Sequence, residues 1–480
     1  MLNNCSSIIV KASIALAISL GICLIAHLLS RRSNVKSKIL SNGWLIAVPI
    51  LCFAFYVLTF ARNIPFYDDY DAVLVYLSQS FPERLTHFFD FHNEHRIVTS
   101  RIIYECIYGL LGRFDFKICI LIGDLILLFY MFILGKKISR QACLLCFLPF
   151  LWLFLDLSNY ENTLWAMTSV SNQLVLPLAL LSFHLFEHRQ KTRCHIGSLA
   201  CAVACTYTTG AGIFVWPVLT VLALKDWLIV DESIKWSKLA DWGGMRSTLG
   251  RSMLPILCFI LVAGISIVCY LNGFHEQSLK LQAEMHCPPQ QENVIAAIVK
   301  YILSFCGAIV PVQAVALPLG LVVCGLIAFI FINIRKVRGN ALLGLLLFTL
   351  GSILSGALFR HKFGSAQALQ LRYGIVSFSL MASTVALFHG LVAPRFQKAW
   401  RNVLCIALFG AVLINVATLI LGWDLLKSRT RQLELSVTAP TSQEADPSRP
   451  EIECALRSQE KLQNAQEAGV WCPAQIFSTD

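Results

Sequence analysis

The first stretch that could carry chemistry is Phe66-Tyr67-Asp68-Asp69-Tyr70-Asp71, which places three carboxylates close together. Neighbouring carboxylates repel one another, so one of them can act as a base with a raised pKa, or the group can bind a divalent cation such as Mg²⁺ or Mn²⁺. We expect Asp68 or Asp69 to be catalytic and to ligate a metal if one is bound, and Asp71 to contact substrate. The alternative is a solvated helix cap.

A second cluster, Phe91-His92-Asn93-Glu94-His95-Arg96, combines two imidazoles, a carboxylate and a guanidinium. That density favours an anion or sugar site. The spacing of the two histidines also suits zinc, but no third ligand lies at a usual spacing. The alternative is an ordinary polar loop. The predicted substrate-binding residues here are His92, Asn93, Glu94, His95 and Arg96.

A third cluster, Asn159-Tyr160-Glu161-Asn162-Thr163-Leu164-Trp165, sets a carboxylate and two amides among aromatic rings. Such amides and carboxylates hydrogen-bond sugars beside a ring face. An interfacial aromatic belt would explain the rings but not the carboxylate. The predicted substrate-binding residues here are Glu161, Asn162 and Trp165.

The fourth cluster is basic and lies between two apolar runs, at Arg360-His361-Lys362 and Arg372-Tyr373. A guanidinium at the start of a helix can bind a phosphate at the level of the lipid headgroups. Anchoring to lipid headgroups is the competing explanation. The predicted substrate-binding residues here are Arg360, Lys362, Arg372 and Tyr373.

The elements that position these clusters are apolar helices. Of the 480 residues, 56% are hydrophobic and only 14% are charged, and apolar runs of about 20 residues recur between short polar loops. We therefore predict an all-α, polytopic transmembrane helical bundle with about 10–13 spans. The expected spans lie near 8–29, 39–60, 116–135, 141–158, 172–186, 253–271, 311–333, 341–359, 374–393 and 402–422, with two short helices in 195–224.

The net charge of +11 reflects topology. More than half of the Lys and Arg residues fall in alternate loops that hold few acids, and the positive-inside rule places those loops in the cytoplasm. A nucleic-acid partner is therefore not expected. The four clusters then share the opposite, external face. Because basic residues follow the first apolar run, we expect 8–29 to be a retained helix.

Two apolar segments, 97–112 and 294–309, carry charges and would invert the charge pattern if they crossed the membrane. We interpret both as external interfacial helices. The expected domains are a transmembrane domain over 1–423, with the acidic motif in the external loop 61–115, and a polar external tail over 424–480. The CxxC pair Cys143 and Cys146 is expected inside a span, where it would be a poor redox or zinc site.

Together the motifs resemble the GT-C class of membrane glycosyltransferases. The resemblance rests on Asp68-Asp69 in the first large external loop, and more narrowly on the set Asn93 to Arg96, Tyr160 to Trp165, Gly212 to Trp216-Pro217 and Arg372-Tyr373, which is similar to bacterial members. It covers about residues 40–425. The extra helix 8–29 and the polar tail depart from the commonest layout.

The resemblance implies transfer of a hexose, with inversion, from a polyprenyl-phosphate donor to a cell-surface glycan such as a lipopolysaccharide O-antigen. The acceptor would be a glycan or lipid-linked glycan, and membrane lipids would surround the enzyme. The implied location is a bacterial inner membrane, with the active site facing the periplasm. The alternatives are a polysaccharide polymerase and a lipid-linked sugar flippase or other transporter.

Overall fold

The computed structural model describes residues 35–233, 258–277, 293–310, 312–337, 339–438 and 450–472. Within them the secondary structure is helical apart from one hairpin with two residues in each strand. The predicted all-α class is therefore confirmed. The predicted span 8–29 lies outside the described residues.

The first part of the chain builds most of the loop 61–115, which we predicted to be external, and the first half of the bundle. A π-helix, Tyr70–Val75, follows the acidic motif, and the hairpin consists of β1 (Phe91–His92) and β2 (His95–Arg96). The α-helices are α1 (Val35–Phe60), α2 (Phe81–Thr86), α3 (Val98–Leu111), α4 (Phe116–Gln141), α5 (Leu148–Phe154), α6 (Tyr160–Thr163), α7 (Ala166–Phe186), α8 (Thr192–Thr206) and α9 (Val215–Ser233).

The second part of the chain completes the bundle and ends in a separate helix of the tail. These helices are α10 (Cys258–Gln277), α11 (Val294–Cys306), α12 (Gln313–Ile332), α13 (Asn340–Arg360), α14 (Gly374–Thr438) and α15 (Pro450–Glu467).

Eight helical segments in the described residues are long and apolar enough to cross a membrane, or nine if one bent pair forms a span. The chain is therefore an integral membrane protein built as a polytopic helical bundle. This number is below the predicted 10–13. The segment 8–29 lies outside the described residues, and α8 and α9 are not among the eight.

The predicted span over 141–158 is a bent pair of helices in the structure. Helix α4 runs on to Gln141, and after a short 3₁₀ turn α5 begins with Pro149 in its first turn. Asp156 then caps the next turn by accepting the backbone N–H of Ser158, and its other oxygen accepts the Thr418 hydroxyl at 3.0 Å. The chain bends by 56° at this point, so the segment is a broken helix.

The predicted pair of short helices in 195–224 is confirmed, because α8 and α9 are separated by a 3₁₀ turn at Gly210–Phe214. The predicted spans 374–393 and 402–422 are joined in α14, whose backbone departs from helical geometry at Phe396. Helix α14 also continues beyond residue 422 to Thr438, which brings the start of the predicted tail into the helical bundle.

Both segments predicted as interfacial helices form helices too short to be spans. Helix α11 has 13 residues, so it is about 20 Å long, whereas the hydrocarbon core is about 30 Å thick. Its Tyr301 and Phe305 are buried, while Val294 and Ile295 are exposed. An exposed apolar face on a short helix suits contact with lipid.

Small residues let neighbouring helices approach closely. A Cβ on Gly123 of α4 would lie 2.5 Å from the carbonyl oxygen of Ser169 in α7. A Cβ on Gly320 of α12 would likewise lie 1.9 Å from the carbonyl oxygen of Leu303 in α11. Backbones this close are typical of packed membrane helices.

The end of the tail is docked on the loop that carries the acidic motif. Lys461 of α15 forms an ion pair with Asp71 at 2.6 Å, and the Trp471 indole donates to the Asn63 carbonyl at 3.2 Å. The Phe114 N–H donates to the Val470 carbonyl at 2.6 Å. The tail helix and the acidic motif therefore lie at the same end of the bundle, as expected if both are external.

Candidate functional site

The acidic motif forms a tight turn that Asp69 holds in place. One carboxylate oxygen of Asp69 accepts the Phe66 N–H at 3.0 Å and the other accepts the Met167 N–H at 2.9 Å, which joins the turn to the start of α7. Asp69 is only 1% exposed, and this burial raises its pKa to about 8. Both oxygens are therefore already bonded to the protein.

Asp68 is in a different environment although it is the next residue. It is half-buried, and its carboxylate has no hydrogen-bond or ion-pair partner in the part of the chain that the structure describes. Tyr67, just before it, adopts a positive φ of 45°, which is rare for a bulky side chain. Asp71 faces Lys461 at the exposed side. Asp68 is thus the carboxylate of the motif that is free to accept a proton from a ligand.

The hairpin places two imidazoles opposite each other. His92 pairs with His95, and Asn93 takes a positive φ of 52° in the turn. Nδ1 of His95 accepts the Gly210 N–H at 3.2 Å, and burial lowers the pKa of His95 to about 4, so this ring is neutral at neutral pH. Burial also lowers the pKa of His92, while the nearby Asp68 carboxylate opposes both shifts.

Arg96, which we predicted to bind substrate, is used within the protein. Its guanidinium donates to the carbonyls of Tyr270, Phe89 and Asn272, and it lies 4.0 Å from the centroid of the Phe91 ring. Arg96 is also buried. These bonds tie the hairpin to α10.

Glu94 in the hairpin turn connects this loop to the basic cluster. Its carboxylate pairs with the Arg360 guanidinium at the end of α13, and the same guanidinium donates to the Tyr373 hydroxyl. Nε2 of His95 lies 3.7 Å from the Glu94 carboxylate. Lys362 is exposed on the neighbouring turn.

The third cluster contacts the backbone of the basic loop at Leu371 and Arg372. One Glu161 oxygen accepts the Arg372 N–H at 3.2 Å, and the Asn162 amide donates to the Leu371 carbonyl at 3.2 Å. Asn172 of α7 bridges Asn162 at 3.2 Å and the Arg372 carbonyl at 3.5 Å. Glu161 and Asn162 therefore position the backbone that presents Arg372.

The Arg372 side chain itself is half-buried, and its guanidinium lies 5.4 Å from the centroid of the Tyr373 ring. Within the described residues it has no hydrogen-bond acceptor or carboxylate partner. Arg372 therefore resembles Asp68: hydrogen bonds hold its backbone in place, but its charged group has no hydrogen-bond or ion-pair partner within the described residues.

Trp165 closes the site on its apolar side. The indole is 3% exposed, and its ring centroid lies 5.4 Å from that of Phe66 and 5.7 Å from that of Tyr67. Tyr67 is 70% exposed, so its ring offers an accessible face next to Asp68. An exposed aromatic face beside a carboxylate suits a sugar ring.

Sequence reasoning missed Arg429. Its guanidinium lies 4.5 Å from the Phe66 ring centroid and 5.5 Å from that of Tyr160, and Nε and Nη2 are buried without a hydrogen-bond partner in the described residues. The carboxylates of Asp69 and Glu161 attract it. The absence of Pro and Gly from Asp424 to Ala439 was the available signal that the last helix would continue this far.

Most of the predicted site residues, together with Arg429, therefore lie near one another, and we call this group the site ring. Hydrogen bonds, ion pairs and ring contacts link His95 to Glu94, Glu94 to Arg360, Arg360 to Tyr373, Tyr373 to Arg372, and the Arg372 backbone to Glu161. Electrostatic interactions relate Asp68 to His95 and to Asp69, and Arg429 to Glu161 and Asp69. Arg96 and Asp71 lie beside the ring with other partners, and Asn93 and Lys362 are exposed near it.

A divalent cation at the acidic motif would rely mainly on Asp68. Both Asp69 oxygens accept backbone N–H groups, and within the described residues no third carboxylate, histidine or cysteine gathers with these two aspartates as a ligand set. The donor set is oxygen, which suits Mg²⁺ or Mn²⁺, but one free carboxylate would leave most of the coordination to water and substrate phosphate.

The fold and this site define a polytopic integral membrane protein with a polar site at one end of its helical bundle. No protein-family model, curated protein or solved structure matches the chain.

Proposed function

We propose that the protein is an inverting membrane glycosyltransferase of the GT-C type. It transfers a hexose from a polyprenyl-phosphate donor to a cell-surface glycan, such as a lipopolysaccharide O-antigen, at the periplasmic face of a bacterial inner membrane. The observation that carries the proposal is the site ring. It contains one carboxylate, Asp68, and one guanidinium, Arg372, whose charged groups have no hydrogen-bond or ion-pair partner within the described residues.

Those two free groups match what this reaction needs. The acceptor hydroxyl must lose a proton as it attacks the anomeric carbon, and the departing polyprenyl phosphate must be stabilised as an anion. A phosphate is already a good leaving group. One base and one cation are therefore enough, in contrast to the two carboxylates of a glycoside hydrolase.

Asp68 is the better candidate for the base. A general base must reach the proton that it removes, and both Asp69 oxygens are occupied by the N–H groups of Phe66 and Met167. Asp69 instead positions the turn. The proton passes to the Asp68 carboxylate and the bond from sugar to phosphate breaks, so the donor leaves as polyprenyl phosphate.

Arg372 is the candidate for the phosphate clamp. A guanidinium offers several N–H donors to phosphate oxygens in a fixed plane, which a lysine ammonium does not. Arg360 already bonds to Glu94 and Tyr373, so its role is to hold the Tyr373 ring beside Arg372. The apolar donor tail would lie against the exposed apolar faces of the helices, such as Val294 and Ile295 of α11.

The deciding experiment uses the purified full chain in lipid vesicles with radiolabelled polyprenyl-phosphate hexose and an acceptor glycan. A transferase moves the label to the acceptor and leaves unlabelled polyprenyl phosphate. A flippase makes the labelled lipid accessible on the other leaflet without consuming it. Transport without transfer, with every candidate donor sugar, would reject the proposal. Asp71→Asn is the matched control because Asp71 has its own partner, Lys461, outside the site ring.

A further inference from the structure

A second cluster of reactive side chains lies away from the site ring, where α4 ends. Cys143 and Cys146 flank the 3₁₀ turn Leu144–Cys146, and their sulfur atoms are 3.5 Å apart. The sequence predicts this pair inside a span. In the structure Cys143 lies in the turn after α4, and Cys146 ends the 3₁₀ turn that precedes α5 at the start of the bent helix pair. The pair follows the basic residues Lys136, Lys137 and Arg140, which the charge pattern assigns to the cytoplasm.

The fold adds a third ligand that lies far away in sequence. His389 of α14 comes to the same place, and one ligand atom from each of Cys143, Cys146 and His389 lies within 4.8 Å of the others. Nδ1 of His389 is buried and has no hydrogen-bond partner among the described residues. A buried ring nitrogen without a partner is unfavourable, and binding a metal would remove that cost.

The spacing of the three atoms fits a tetrahedral metal better than a disulfide. A disulfide requires about 2.05 Å between the sulfur atoms. With zinc-to-sulfur bonds of about 2.3 Å, two thiolates on one tetrahedral ion lie about 3.8 Å apart, close to the 3.5 Å seen here. The histidine nitrogen, which lies within 4.8 Å of both sulfur atoms, would need to approach them by at most about 1.2 Å, and a side-chain rotation can provide that.

We propose that Cys143, Cys146 and His389 bind a zinc ion at the cytoplasmic face. Thiolate and imidazole donors select zinc over magnesium or calcium, and CxxC is a usual spacing for two zinc ligands. Binding converts two thiols to thiolates and releases two protons, so the two negative charges cancel the charge of Zn²⁺. The fourth position takes a water molecule or another ligand.

The bound zinc ion would link the turn between α4 and α5 to α14. On α14 the link would lie just before the bend at Phe396. Trp400 lies beside it, with its ring centroid 6.2 Å from that of His389. This site lies at the opposite end of the bundle from the site ring in the predicted topology. Its existence therefore does not depend on the proposed transfer reaction.

The test is the zinc content of the purified full chain, prepared without chelator and measured by mass spectrometry of the metal. We expect about one zinc ion per chain. The double variant Cys143→Ser/Cys146→Ser should lose it. In His389→Gln the dissociation constant should rise by more than about a hundredfold, because loss of an outer-shell partner alone costs about 10- to 100-fold. The matched control is Cys106→Ser/Cys269→Ser, since both cysteines are exposed and neither belongs to the cluster.

A second measurement uses the unaltered sequence, so that a misfolded variant cannot obscure the result. Replacing zinc with Co²⁺ should give the visible absorption of a tetrahedral cobalt thiolate, and a zinc chelator should speed alkylation of Cys143. The proposal is overturned if the wild-type chain holds no more zinc than the double variant, or if no cobalt absorption appears. It is equally overturned if intact protein, purified under reducing conditions, contains a disulfide between Cys143 and Cys146.

Discussion

Replacing Asp68 with Asn removes the proposed base and preserves the shape of the side chain. Loss of a general base typically slows turnover by about a hundredfold to ten-thousandfold. This corresponds to a rise of about 3–5 kcal/mol in the activation barrier. Because the Asp68 carboxylate has no hydrogen-bond partner among the described residues, the free energy of unfolding should change by no more than about 0.5 kcal/mol.

The two neighbouring aspartates provide matched comparisons within the same turn. Asp71→Asn breaks a partly exposed ion pair with Lys461, so it should cost less than about 1 kcal/mol of stability and keep near-native turnover. Asp69→Asn keeps one acceptor oxygen, so one of the N–H groups of Phe66 and Met167 loses its partner. That change should cost about 1–3 kcal/mol and lower the melting temperature.

The assay combines initial rates of radiolabelled sugar transfer with thermal melting of each variant in the same lipid. The expected pattern is slow turnover with normal melting for Asp68→Asn, and lowered melting for Asp69→Asn. If Asp68→Asn inserts normally and keeps more than about a tenth of the wild-type rate, Asp68 is not the base. Glu94 and Glu161, the other carboxylates of the site ring, then become the candidates.

Arg372→Lys should lose most transfer activity while the protein still inserts normally. Lys362→Ala should keep its activity, since Lys362 is exposed beside the site. If the two variants transfer sugar at comparable rates, the phosphate clamp lies elsewhere. The raised pKa of Asp69 favours its protonated form in the fold, so unfolding free energy should fall as pH rises from 3.8 to about 8, and Asp69→Asn should remove that slope in denaturant titrations. Arg429→Met keeps the apolar stem of the side chain but removes the cation near Asp69 and Glu161. It should lower both the melting temperature and the transfer rate. If neither changes, Arg429 is not part of the site. Reporter fusions should show an external location near residues 90, 285 and 440, and a cytoplasmic one near 34, 190, 240 and 337.

Hydropathy and charge bias predict the parts of this fold that depend on local composition. The long apolar runs become helices, and the glycines around Gly210 separate α8 from α9 as expected. The break near Asp156 was missed because a contact distant in sequence stabilises it, namely the bond from Thr418. The continuation of α14 was missed because polar composition after residue 422 was interpreted as solvated tail, whereas Arg429 is covered by the rings of Phe66 and Tyr160.

The site residues could likewise be predicted where local sequence determines them, but not where contacts distant in sequence do. Composition identified all four polar clusters, but it could not separate Asp68 from Asp69, since the partner that occupies Asp69 is the N–H of Met167, 98 residues further along. Nor could it show that Arg96 is saturated by three carbonyls, because Tyr270 and Asn272 belong to a different helix. Adjacent residues on a tight turn point in different directions, and only the tertiary fold determines what each side chain contacts.

The distribution of partners around the site ring supports separate roles for its charged residues. A polar or charged group that is shielded from water is stabilised when protein donors or acceptors surround it, and the Asp69 carboxyl and the Arg360 guanidinium have such partners. Asp68 and Arg372 are half-buried, and neither charge is compensated by a hydrogen bond or ion pair within the described residues, although well-bonded backbone holds each one in place. Such positions add little to folding stability, because no hydrogen bond or ion pair would be lost if they were neutral. A ligand that brings both a hydroxyl proton for Asp68 and an anion for Arg372 would compensate both charges at once, and a glycan acceptor together with a polyprenyl-phosphate sugar brings both.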